Sequence, residues 1–131
     1  MRQRLPIKRI YNATRHNHYG YRYEWENIGC EFVPSYSSRA LPVELTMTAT
    51  QVKCLANDIV DDAIKCKADT ILISGLSSLV MFTALIAARV GLNVIEPVFS
   101  GRDKNVLTFS HYRDLTGEIL QSIAMMQNLG A

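Results

Sequence analysis

Two stretches of the chain carry residue types suited to phosphate chemistry. The first is Ser100-Gly101-Arg102-Asp103-Lys104-Asn105, followed by Val106 to Ser110-His111. An arginine held in a tight loop presents a planar fork of donors that matches phosphate oxygens two at a time. A histidine changes charge near neutral pH, so His111 can act as a general acid or base, or ligate a metal. The plainer reading makes Arg102 and its neighbours surface polar residues, and His111 an exposed strand-end residue.

The second stretch is Ser74-Gly75-Leu76-Ser77-Ser78. It lies between an apolar run and an apolar helical segment. A helix start offers unpaired backbone N–H groups and a partial positive charge, both favourable to an anion. Ligands of open α/β sheets bind outside the carboxyl ends of strands. Ser74, Gly75, Ser77 and Ser78 are therefore the candidate ligand-binding residues, together with Arg102. The run is neither a P-loop nor a Gly-x-Gly-x-x-Gly fingerprint, and a plain strand-to-helix turn is the alternative. His16 and His18 stand two apart and can share a strand face, but no third metal ligand accompanies them. Asp58, Asp61 and Asp62 alternate with Lys65 and read as a solvated helix face.

The elements that must position these residues follow from periodicity. Residues 5–11 alternate loosely, and Pro6 suits an edge strand. Tyr19, Tyr21, Tyr23 and Trp25 recur at period two, and with Ile28–Val33 they suggest a hairpin over residues 19–33. Thr48 and Gln51 form a capping-box pattern. Val52, Leu55, Ala56, Ile59, Val60, Ala63 and Ile64 then follow at helical spacing. Thr70–Ser74 has the continuous apolar character of a central strand. Ser77 or Ser78 caps a helix over Leu79–Val90, with Gly91 as its stop. That helix is apolar nearly all round, which predicts burial on several sides and a subunit contact. Asn93–Phe99 and Val106–His111 read as strands flanking the arginine loop. Leu115–Leu129 is a final amphipathic helix capped by Asp114 or Thr116.

These elements predict one α/β (α+β) domain over residues 1–131, either ferredoxin-like or a small open sheet with helices packed on it. Of the 14 Lys and Arg residues, Arg2, Arg4, Lys8, Arg9, Arg15 and Arg22 precede the first acid, Glu24. Residues 1–18 thus read as a basic N-terminal arm, suited to a phosphate-bearing partner or simply solvated. The three cysteines, Cys30, Cys54 and Cys66, form no Cys-x-x-Cys pair. They read as free thiols in a reducing cytoplasm. The longest apolar run, Leu79–Ala88, with Thr83 its only polar member, is too short for a membrane span.

Taken in order, Ile71-Leu72-Ile73-Ser74-Gly75, an apolar helix, a strand ending at Phe99, the arginine loop and a strand closing in Ser110-His111 resemble the third Csx family of type III CRISPR accessory proteins, the small ring nucleases. The resemblance covers Ile71 to His111. It implies a ferredoxin-like fold and dimers or tetramers that sandwich cyclic tetra-adenylate. It also implies manganese-assisted cleavage of that ligand, with His111 and Arg102 as catalytic residues. The family has a histidine near the end of the central helix, where this chain reads Arg89-Val90-Gly91. It has an aspartate two residues before the loop arginine, where this chain has Ser100. Asp103, on the other side of Arg102, is the acid available to replace it. The expectations are a homo-oligomeric ring nuclease, a binder that senses or sequesters a cyclic oligonucleotide, or an interaction domain without nucleotide.

Overall fold

The computed structural model describes residues 6–13, 31–33, 46–74, 77–103 and 106–129. Its elements are β1 (Arg9–Asn12), β2 (Glu31–Val33), α1 (Ala49–Lys65), β3 (Thr70–Leu72), α2 (Ser77–Val90), β4 (Asn93–Asp103), β5 (Val106–Asp114) and α3 (Thr116–Leu129). The five strands form one sheet in the order β2-β1-β3-β4-β5. The first three pairings are parallel and β4–β5 is antiparallel. Of the two arrangements expected from sequence, this is the small open sheet. A ferredoxin-like domain, β-α-β-β-α-β, is built differently.

Alternation along the strands sorts the core onto two faces. Tyr11, Ile71, Ile73 and Val94 pack with Val52, Ala56, Ile59 and Val60 of α1 and with Leu79, Ala84 and Ala87 of α2, and Leu115 and Ile119 lie against the same cluster. Ile10, Leu72 and Ile95 point the other way and form a second buried cluster with Ile7 and Tyr112 against it. Burial on both faces explains why the strands read as continuous apolar runs rather than as alternating ones.

The helix ends follow local rules. Thr48 Oγ1 accepts from the Gln51 N–H at 3.2 Å, and Gln51 Oε1 accepts from the Thr48 N–H at 2.8 Å, which completes the expected capping box. At the other end of α1, Lys67 N–H donates to Ile64 O and Ala68 N–H to Ala63 O, with Lys67 at φ 59°. α2 stops in the same way: Gly91 N–H donates to Ala88 O and Leu92 N–H to Ala87 O, with Gly91 at φ 90°. Both are Schellman closures, with a left-handed residue just past the helix.

Two expectations are corrected, and a third lies mostly outside the described residues. β1 is not an edge strand, for it lies between β2 and β3, and Pro6 precedes the ladder altogether. Of the expected hairpin over 19–33, only Glu31–Val33 falls among the described residues, and it pairs with β1 in parallel. The arginine loop is largely strand, for β4 continues through Gly101 to Asp103, opposite Thr108 to Val106. Register shifts at Val98/Phe99 and Phe99/Gly101 set Ser110 and Ser100 as extra residues, and Gly101 takes φ 147°. A bulge with glycine at positive φ leaves the same local signature as a turn. Pro97 is accommodated because β3 pairs with β4 only as far as Ile95, and the proline nitrogen lies on that side beyond the end of β3.

Candidate functional site

In the order β2-β1-β3-β4, connections from β1 and β3 lead to strands on opposite sides. Such a reversal opens a crevice outside the carboxyl ends of the two strands that flank it, here β1 and β3. β1 ends at Asn12 and β3 at Leu72, and the ladder runs one step further. Ala13 N–H donates to Leu72 O at 2.8 Å, and Ile73 N–H donates to Ile95 O at 3.0 Å. Ser74, past this point, is half-buried, and α2 begins at Ser77.

Ser77 is exposed and Ser78 half-buried, both in the first turn of α2. No acid lies in that turn, so no carboxylate there offsets the positive helix end. Gly75 lies outside the described residues. Asn12 is a further candidate that the sequence reading missed. It is buried, 7% exposed, at the carboxyl end of β1. The available signal was a polar residue closing the apolar pair Ile10-Tyr11.

His111, Arg102 and Asp103 lie on a two-stranded ribbon that leaves the same end of the sheet. Beyond Ile95, β4 continues from Glu96 to Asp103, roughly 26 Å at about 3.3 Å per residue. His111 is opposite Val98, Arg102 opposite Leu107 and Asp103 opposite Val106. From Leu107 to His111 is about 13 Å of strand, so the backbone does not make His111 and Arg102 neighbours. Tyr112 packs with Ile10, Leu72 and Ile95, so alternation turns His111 toward the helix-bearing face. It is exposed there, with Ser110 Oγ 2.9 Å from Nδ1.

The opposite end of the sheet is fixed by a polar network. The Asp69 carboxylate accepts from the Lys8 N–H at 3.1 Å, from the Arg9 N–H at 2.8 Å and from Thr70 Oγ1 at 2.7 Å. Arg9 Nε donates to Cys66 O at 2.7 Å, and the buried Tyr11 donates its hydroxyl to Asp62 at 2.6 Å. Asp62 therefore does more than solvate α1. These bonds tie β1 to β3 and α1 at the strand amino ends, away from the crevice.

Among the described residues, no three His, Cys, Asp or Glu side chains are grouped as metal ligands, and His16 and His18 lie outside those residues. The hydroxyl of Ser110, which is not a carboxylate, lies beside Nδ1 of His111. Cys54 and Cys66 are free thiols. Among the described residues, no helix is long and apolar enough to cross a membrane. No protein-family model, curated protein or solved structure matches the chain.

Proposed function

We propose that the chain recognises a phosphate-bearing nucleotide in the crevice at the carboxyl ends of β1 and β3. A cyclic oligoadenylate, the ligand class implied by the resemblance, is the first to test. The observation that supports this reading is the reversal of strand order between β1 and β3, with the first turn of α2 opening beside it. Ser74, Gly75, Ser77 and Ser78 supply hydroxyls and first-turn amides to phosphate oxygens, and Asn12 closes the floor. The protein acts here as a binder. Cleavage by Arg102 and His111 would ask both to reach one phosphoryl group, and a general base must come within about 2.6–3.2 Å of its proton. Their spacing along the ribbon does not favour that. Recognition works in a homo-oligomer, as the apolar α2 suggests.

A ligand that binds only the folded chain stabilises it by about 2.7 kcal/mol at 100 times its Kd. For a domain of this size that raises Tm by roughly 10 °C. Thermal melts with cyclic oligoadenylates of several ring sizes and with mononucleotides should single out the ligand. Ser77→Asp, which sets a carboxylate against the phosphate, should remove the shift while leaving the unliganded Tm close to wild type. No shift with any of these ligands would sink the nucleotide reading. Ligand recovered cut from the wild-type complex, and uncut from His111→Ala, would restore the enzyme.

A further inference from the structure

The rim of the sheet opposite the crevice carries a surface of another kind. Ile10, Thr70 and Asn93 stand in one row across β1, β3 and β4. Both α1 and α2 end beside that row, because residues 67–69 lead from α1 into β3 and residues 91–92 from α2 into β4. Lys8, Lys65, Lys67 and Arg89 are exposed at this rim. Lys65 and Arg89 lie in the last turns of their helices and offset the negative helix ends. Exposed Asp61, one turn before Lys65, balances that lysine further, whereas Lys8 and Lys67 add charge beyond the helices. Two half-buried carboxylates of this end are turned inward. Asp62 accepts from the Tyr11 hydroxyl, and Asp69 accepts from the Lys8 and Arg9 amides and from Thr70. Beside the cations stand two large aliphatic side chains, Ile64 next to Lys65 and Val90 next to Arg89, at 48% and 47% exposure.

We infer that this rim docks on an anionic bilayer surface, with Ile64 and Val90 entering the headgroup layer and Lys8, Lys67 and Arg89 lying over acidic headgroups. Cations set around aliphatic side chains are complementary to a surface that is anionic at the top and hydrocarbon beneath. Nucleic acid shares the anionic chemistry, but bases stack on aromatic rings, and Ile64 and Val90 are aliphatic. The whole chain has a net charge of only +2, so attraction depends on where the cations lie rather than on their total. Each lysine or arginine close to an anionic membrane adds roughly fivefold to partitioning, and salt screens that gain. With the rim on the bilayer, the carboxyl ends of β1 and β3 lie at the far end of the sheet, so the contact leaves the crevice open. Docking is independent of what the crevice binds.

Flotation of the full chain with vesicles tests this, using phosphatidylcholine alone and with ~30% phosphatidylserine, at about 50 and 500 mM salt. Wild type should float with the phosphatidylserine vesicles at low salt, and partitioning should fall at least ~10-fold at high salt or on neutral vesicles. Lys67→Gly should lower partitioning about fivefold while keeping the fold, because its φ of 59° suits glycine. Ile64→Ser and Val90→Ser should each lower it roughly threefold, with folding verified by circular dichroism. Lys53→Ala, exposed near the other end of α1, should leave it unchanged. Wild type that failed to float with phosphatidylserine at low salt, or floated equally with both lipids, would overturn the inference. So would a loss in Lys53→Ala as large as that in Lys67→Gly. Fluorescence anisotropy with a single-stranded DNA oligonucleotide covers the competing partner. Oligonucleotide binding that Lys67→Gly weakened and Val90→Ser did not, without vesicle binding, would replace the bilayer by nucleic acid.

Discussion

Two buried threonines show how one residue type takes opposite energetic roles here. Thr116, 4% exposed, accepts from the Val94 N–H at 2.9 Å and donates to Val94 O at 3.4 Å. Its hydroxyl continues the ladder where β5 has turned into α3, and Leu115 N–H donates to the same Val94 carbonyl at 2.9 Å. Thr83, 0% exposed in the middle of α2, has no partner for its hydroxyl among the described residues. Removing a hydrogen bond and leaving a buried N–H unpaired costs about 1–3 kcal/mol. Thr116→Val should therefore lower stability by that amount in urea unfolding, with the slope unchanged. Thr83→Val removes only an unsatisfied group of similar volume and should be neutral or raise stability by up to about 1 kcal/mol. A loss above ~1 kcal/mol in Thr83→Val would mean that the hydroxyl has a partner in solution.

At the scale of elements, α1 and α2 close alike with different residues. Lys67 at φ 59° carries a β-carbon in a left-handed position, where Gly91 at φ 90° does not. An L-residue there costs roughly 1–2 kcal/mol, and glycine recovers that less the ~0.4–1 kcal/mol it adds to unfolded-chain freedom. Lys67→Gly should thus raise stability by a few tenths to about 1 kcal/mol, and Gly91→Ala should lower it by about 1 kcal/mol or more. Thermal melts of both, read together, test the closures. Equal effects of one sign would show that the two ends do not share this geometry. The Lys67 closure also aims Ala68 and Asp69 into β3, so that Asp69 meets the Lys8 and Arg9 amides.

For the whole molecule, the parallel centre and the projecting ribbon should differ in local stability. β1 and β3 each have a strand on both sides, and Ile10, Tyr11, Ile71 and Leu72 are fully buried. From Val98 to His111 the ribbon has two strands among the described elements, and an isolated two-stranded ribbon is marginal in water. Native-state hydrogen exchange should find the amides of Tyr11, Ile71 and Ile73 among the slowest, opening only with global unfolding, and those of the ribbon tip exchanging by local opening. Ribbon amides as slow as those of β3 would show that the ribbon is covered in solution. Nucleotide binding at the crevice should add protection at Asn12, Ala13 and the first turn of α2 before it does so on the ribbon.

Local interactions made the helices legible in the sequence. Thr48 and Gln51 cap within one turn, Gly91 stops α2 where its periodicity ends, and the apolar positions of α1 are the ones that pack. These features depend on residues within about five positions of one another, and such contacts follow from spacing alone. Ser77 and Ser78 were readable as a helix start for the same reason. Strand pairing was not, because period-two alternation says which face a residue takes but not which strand lies beside it. Residues 5–11 looked like an edge, yet β1 is interior because Arg9–Asn12 fits between Glu31–Val33 and Thr70–Leu72. Ser100-Gly101 looked like a turn, yet it is a bulge because β5 is long enough to pair past it. Asn12 stands opposite Leu72 only through the parallel order of the sheet, whose contacts join residues some 60 positions apart. The sequence by itself determined the helices, the capping box of α1 and the glycine stop of α2, while Ser77 and Thr116, expected as caps, are the first residues of α2 and α3. The tertiary structure alone decided that the carboxyl end of β3 lies beside a strand reversal and that His111 and Arg102 lie apart on a ribbon, because only long-range pairing sets those distances.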